Sequence, residues 1–211
     1  MERVNSPLSP LRLGVLGGTF DPPHYGHLQL AQAAGEQLRL HRVLWVLTAE
    51  PPHKLNYPLS SVADRLAMVQ ALIANYPTFE LSRVDIDRPG PHWTADSLAL
   101  LAQQYPGARL VYLMGSDSLN SLPEWNRAAE FLRYVYLGIM CRPGSHVALE
   151  RLERSFPGIT SRLTFLQAPP LTIASRDLRR RIADNEPLDG LTSAAVIRLI
   201  QERQLYKARQ Q

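Results

Sequence analysis

The stretch GGTFDPPHYGH, residues 17–27, lies between an apolar run and a helical pattern, and that context decides how the chain folds. Upstream, residues 11–16 (LRLGVL) read as a short buried strand. Downstream, Leu28, Ala31, Ala34 and Leu38 recur at helical spacing, with Gln29, Gln32 and Glu36 on the other face. The quoted stretch is therefore the turn of a strand-turn-helix unit, with His27 in the first turn of the helix. A helix start offers unpaired backbone N–H groups and a partial positive charge, both favourable to an anion. Gly17 and Gly18 remove side chains that would hold a phosphate away from the backbone, and His24 and His27 add ring donors beside it. The stretch reads as a phosphate site.

Outward from this unit, strands and helices alternate. Strands are expected at residues 42–47 (RVLWVL), 79–86, 108–114, 134–140 and 163–167. Helices are expected at 62–74, 94–105, 123–133, 176–183 and 193–204, the third with a proline near its start. Residues 48–60 (TAEPPHKLNYPLS) carry three prolines and read as a long loop of the kind that often serves as a lid or binding loop. The alternation predicts an α/β fold: a doubly wound, mostly parallel sheet with right-handed crossovers and a small C-terminal helical portion. The expectation is one domain over residues 11–206, after a frayed lead-in at 1–10. Ligands of such sheets bind at the carboxyl ends of the strands, near the point where strand order reverses.

Composition narrows the function classes. Of the 211 residues, 45% are hydrophobic and 20% charged, which suits a compact α/β unit. The single cysteine, Cys141, excludes an internal disulfide and fits a reducing cytoplasm; it is expected to be a small buried hydrophobe. No apolar run approaches the roughly 18 residues that would span a membrane. A formal net charge of +4 fits a phosphate-rich small substrate, and the basic residues form no aromatic-interleaved stripe that would mark a nucleic-acid binder. Arg180 and Arg181 read as a solvated helix face, and His41 carries no role.

Neither G-x-G-x-x-G nor G-x-x-x-x-G-K-[ST] occurs, so dinucleotide-dehydrogenase and P-loop readings lose their support. A zinc pair at His24 and His27 would need further Cys or carboxylate ligands, and Asp21 alone is thin. Instead the chain carries Gly18-Thr19-Phe20-Asp21-Pro22-Pro23-His24-Tyr25-Gly26-His27. Further along stand Pro51-Pro52-His53-Lys54, Asp64-Arg65, Trp93-Thr94, Gly115-Ser116-Asp117-Ser118, Trp125, Arg142-Pro143-Gly144 and residues 173–179. Taken together these resemble the nucleotidylyltransferase superfamily and, within it, the bacterial nicotinate mononucleotide adenylyltransferases. The resemblance runs from about Leu13 to Tyr206, and the set is far more specific than H-x-G-H alone.

The resemblance implies a Rossmann-like nucleotidylyltransferase fold and transfer of the adenylyl group of ATP to nicotinate mononucleotide. It implies catalytic roles for His24 and His27. ATP contacts fall at Gly17, Gly18, Thr19, Phe20, Gly115, Asp117, Ser175, Arg176 and Arg179, and acceptor contacts at His53, Lys54, Trp93, Thr94, Trp125 and Arg142. Mg²⁺ is expected on the ATP phosphates, with no metal-binding residues of the protein's own. The partners are the two small substrates, without nucleic acid or membrane. The last motif departs from the family pattern Ile-Ser-Ser-Thr-x-Ile-Arg: here it is Ile173-Ala174-Ser175-Arg176-Asp177-Leu178-Arg179, so one hydroxyl is lost and another becomes a guanidinium. Leu47 likewise replaces a proline. Alternative readings are transfer to another phosphate acceptor, such as nicotinamide mononucleotide or phosphopantetheine, and a non-catalytic ATP-sensing module.

Overall fold

A computed structural model describes residues 10–51, 58–142 and 144–207. The first apolar run continues to the end of the glycine pair as β1 (Arg12–Gly18), and the helical pattern after it becomes α1 (Tyr25–Gln37). Then follow β2 (Arg42–Leu47), α2 (Val62–Ile73), β3 (Phe79–Ser82), α3 (Thr94–Gln104), β4 (Arg109–Gly115) and α4 (Ser116–Asn120). The chain continues through α5 (Ala128–Tyr134), β5 (Val135–Met140), α6 (Leu149–Ser155), β6 (Leu163–Leu166), α7 (Ser175–Ala183) and α8 (Ala194–Glu202).

All six strands pair in parallel, in the order β3-β2-β1-β4-β5-β6. The order reverses between β1 and β4, where Leu13 lies opposite Leu110 and Val15 opposite Tyr112. Successive residues of the central strands feed two separate cores, as a sheet covered on both faces requires. Leu13, Val15, Leu44, Val46, Tyr112 and Met114 pack under α3, α5 and α6. Leu16, Val43, Trp45, Leu47, Val111 and Leu113 pack under α1, α2, α7 and α8. No helix among the described residues is long and apolar enough to cross a membrane.

Three expectations need correction. The strand expected at 79–86 ends at Ser82, whose partner in β2 is Val46, one residue short of the end of that strand. The chain then turns, with the N–H groups of Ile86 and Asp87 both donating to the Arg83 carbonyl and Arg83 paired with Asp87 at 2.7 Å. The helix expected at 123–133 is broken. A short 3₁₀ turn (Leu122–Glu124) precedes an extended Trp125, and Arg127 takes a left-handed φ of 59° before α5 begins. Arg127 is held there by Asp96 of α3 at 2.6 Å and by Glu130 at 2.5 Å. Helices α4 and α6 also stand where no helix was expected; α6 buries only Leu152, too little for an apolar period.

The loops at the carboxyl end of the sheet are joined by one buried cation. Arg65 of α2, only 2% exposed, donates to the carbonyls of Thr19 (3.2 Å), Thr48 (2.8 Å), Ala49 (2.8 Å) and Ser60 (3.0 Å). Burial lowers its pKa, partly countered by Asp21. Replacing it with methionine keeps the bulk and strands these carbonyls. Arg65→Met is expected to destabilise the fold by about 3 kcal/mol in urea denaturation. A loss below about 1 kcal/mol would show that solvent replaces these bonds freely.

Candidate active site

His24 stands at the N-cap of α1, in extended conformation (φ −149°, ψ 170°), and His27 follows in the first turn. The backbone N–H of His24 donates to Nδ1 of His27 at 3.2 Å. That bond requires Nδ1 to be unprotonated, so in the neutral ring the proton lies on Nε2. The two rings stack with centroids 3.7 Å apart and an interplanar angle of 26°. Gly26 makes this possible: a Cβ there would fall 3.0 Å from Nδ1 of His24. Among the described residues His24 Nδ1 is buried without a hydrogen-bond partner.

Both imidazoles are held neutral. Burial, with the nearby Arg142 cation, lowers the His24 pKa to about 4 against an upward pull from Asp177. Burial and the adjoining His24 put His27 well below the ordinary histidine value. Two rings this close cannot both carry charge without strong repulsion. Phe20 sets the floor beneath them, 1% exposed, with its edge against His27 at 5.1 Å and its ring tilted against Trp45. Its φ of 49° is left-handed, a conformation that costs a bulky residue about 1–2 kcal/mol and points to a constrained loop.

His24 and His27 border a cavity of about 980 Å³ at the carboxyl ends of β1 and β4. Of the residues singled out in the sequence, Gly17, Gly18, Thr19, His24, His27, Trp93, Thr94, Gly115, Asp117, Trp125, Arg142 and Ser175 line it together. Three others do not. Phe20 lies behind the wall, and Arg176 is exposed outside the lining. Arg179 lies behind the Asp21 turn, donating to the Asp21 carbonyl at 2.6 Å. His53 and Lys54 fall outside the described residues. Across the cavity, Arg142 pairs with Asp117 at 3.1 Å; both are too exposed for the pair to add much stability. Trp125 is fixed on the far wall by its Nε1–H donating to Ser121 at 3.3 Å and by edge contact with Tyr112. Cys141, expected to be buried, is exposed on the cavity wall, because β5 ends one residue earlier.

Tyr112 is among the lining residues that the sequence did not flag. It is 6% exposed, reads locally as one more apolar position of β4, and points its hydroxyl at β1. Burial raises its pKa to about 12, partly offset by a hydrogen bond with Thr94, so it stays a neutral phenol. A Cβ on Gly17 would meet that hydroxyl at 2.6 Å, so the glycine makes room for Tyr112 as well as for a ligand.

The cytidylyltransferase-like family profile matches residues 15–197. A relative from Thermomicrobium roseum, named "Probable nicotinate-nucleotide adenylyltransferase", is 41% identical over 93% of this chain and 92% of its own. A relative of the same name from Roseiflexus sp. is 39% identical over 95% and 100%. The chain belongs to the nicotinate-nucleotide adenylyltransferase family. A solved structure of the Plasmodium falciparum nicotinic acid mononucleotide adenylyltransferase complexed with NaAD shares the fold at a TM-score of 0.76. It is 18% identical, over 92% of this chain and 97% of that one.

The Gly17–Tyr112 contact gives a test of how the family turn is built here. Gly17→Ala is expected to destabilise by about 1–3 kcal/mol through overpacking. With Tyr112→Phe the nearest remaining atom is the ring carbon at 3.4 Å, an ordinary contact, so most of that loss should vanish in the double variant. Additive losses in the double-mutant cycle would show that the strain lies elsewhere.

Proposed function

We propose that this crevice transfers the adenylyl group of ATP to nicotinate mononucleotide, giving deamido-NAD and pyrophosphate. A phosphate oxygen of the mononucleotide attacks the α-phosphorus, and the bond from that phosphorus to the β-phosphate bridge oxygen breaks. The attacking oxygen is already ionised at neutral pH, so the step needs no general base and no covalent enzyme intermediate. What the protein must supply is in-line alignment and donors for the charge that builds on the transferring phosphoryl group.

The observation that carries this reading is the His24 N–H to His27 Nδ1 bond, which leaves Nε2–H as the ring donor on a cavity-lining residue. A neutral donor in a desolvated site stabilises developing charge without first being neutralised by a carboxylate. His24 serves as the second donor, and Thr19 with the start of α1 offers backbone to the triphosphate. Ser175, whose hydroxyl now donates to the Pro22 carbonyl at 2.8 Å, stands on the pyrophosphate side. Mg²⁺ would be carried in on the ATP phosphates and would supply positive charge there against that of the triphosphate.

The acceptor reading rests on the other end of the cavity. Trp93 caps α3 with no side-chain hydrogen bond, so the helix start is left to face a ligand. A nicotinate carboxylate accepts there on both oxygens, whereas a carboxamide would turn its NH₂ toward a donor. The nearby Asp96 would repel that carboxylate, but its charge is matched by Arg127 at 2.6 Å. Trp125 supplies a stacking face that serves acid and amide alike.

One coupled pyrophosphate assay over a panel of mononucleotides tests the reading. The expected result is kcat/KM clearly higher for nicotinate than for nicotinamide mononucleotide, with phosphopantetheine inactive. In the same assay His27→Ala should lower kcat by about 10²–10³ with a much smaller effect on ATP binding. A near-normal kcat in that variant overturns the role of His27, and equal turnover of acid and amide overturns the acceptor pocket.

A further inference from the structure

The turn that carries His24 has few means of holding itself. Pro22 and Pro23 lack N–H groups, so neither can close a local turn with its own backbone donor. The turn is instead held from far along the chain. Arg179 donates to the Asp21 carbonyl at 2.6 Å, Ser175 to the Pro22 carbonyl at 2.8 Å, and Thr192 to the Pro23 carbonyl at 3.0 Å. The N–H of Tyr25, the first residue of α1, donates to the Leu191 carbonyl at 2.9 Å.

The fifth contact comes from beyond the last helix. The hydroxyl of Tyr206 donates to Oδ1 of Asp21 at 2.5 Å, joining residues 185 positions apart. Asp21 is 1% exposed, and its other oxygen accepts from the Ser60 N–H at 3.4 Å. Tyr206 itself adopts a left-handed φ of 62°, and Gln204 one of 55°. Such conformations persist where surrounding contacts over-determine them. Neither Tyr206 nor Thr192 lines the cavity, so neither can be a ligand residue of the site as it stands.

We propose that residues 175–206 act as a clamp that positions the histidine turn, and that Tyr206, through Asp21, is a positioning residue for adenylyl transfer. Every carbonyl from Asp21 to Pro23 is seized by this segment, and the loop's one carboxylate is too. His24 follows directly, and its N–H sets the His27 ring. Loosening the clamp therefore moves the two imidazoles relative to the transferring phosphoryl group, while the walls that bind adenosine and acceptor stay in place. The prediction is a fall in kcat without a matching rise in KM. The inference rests on the adenylyl-transfer reading for its kinetic arm only.

The test is Tyr206→Phe in the full chain, which removes one hydroxyl and keeps the ring in its packing. In the pyrophosphate assay kcat is expected to fall roughly tenfold or more, with KM for ATP and mononucleotide within about twofold of wild type. Unchanged kcat, or a loss that appears only in KM, overturns the clamp. Amide hydrogen exchange separates the clamp from the reaction: the Tyr25 amide should exchange at least about tenfold faster in the variant. If the wild-type chain releases no pyrophosphate, adenylyl transfer fails and the exchange result alone decides the clamp, with wild-type protection of Tyr25 overturning it. Thr192→Val, which removes the bond to Pro23 from a different element, gives the same two readouts should Tyr206→Phe not fold.

Discussion

One hydrogen bond sets the chemistry of the site: the backbone N–H of His24 donating into the ring of His27. It fixes the tautomer of the second imidazole, and with it which nitrogen carries a proton. Burial then keeps both rings neutral, aided by the Arg142 cation beside His24 and by His24 beside His27. A pair of neutral donors at a helix start suits a reaction in which negative charge shifts between phosphate oxygens. A general base would have little to do there.

That bond depends on a backbone geometry that the turn does not generate alone. From one side Arg65 holds Thr19 and the loop after β2; from the other the C-terminal segment holds Asp21, Pro22 and Pro23. The parallel sheet positions both. Its order reverses between β1 and β4, which opens a crevice at the carboxyl ends, and α7 and α8 pack on the same face as α1. The C-terminal helices thus reach the turn while leaving the crevice open on the side where Trp93, Thr94 and Trp125 stand.

Much of this was legible in the sequence where the signal is local. The β1–α1 unit follows from an apolar run, a glycine pair and a helical period, and residues 42–47 form a strand at those bounds. What escaped is set by partners distant in the chain. The helix expected across Trp125 is interrupted at Arg127, which pairs with Asp96 of α3 and takes a left-handed φ, a contact that no local pattern signals. Residues 83–86 have strand composition, but the Arg83 carbonyl takes the N–H groups of Ile86 and Asp87 and closes the chain into a turn there. Arg179 sits where the resemblance expects a phosphate contact, and its bond to the Asp21 carbonyl, far back in the chain, carries no local signal. Tyr206 carries no local signal, since its partner lies at the other end of the chain.

Everything proposed for the site depends on two neutral imidazoles lining the crevice, with the His27 proton on Nε2. Long-range ¹H–¹⁵N correlation spectra of the imidazole nitrogens test it most directly. The account predicts that at neutral pH His27 shows a protonated Nε2 and an unprotonated Nδ1. The His24 ring is expected to stay neutral down to about pH 5, and His27 to resist protonation below the ordinary histidine range. An imidazolium signal from either ring at about pH 6.5, or a His27 proton on Nδ1, would contradict it.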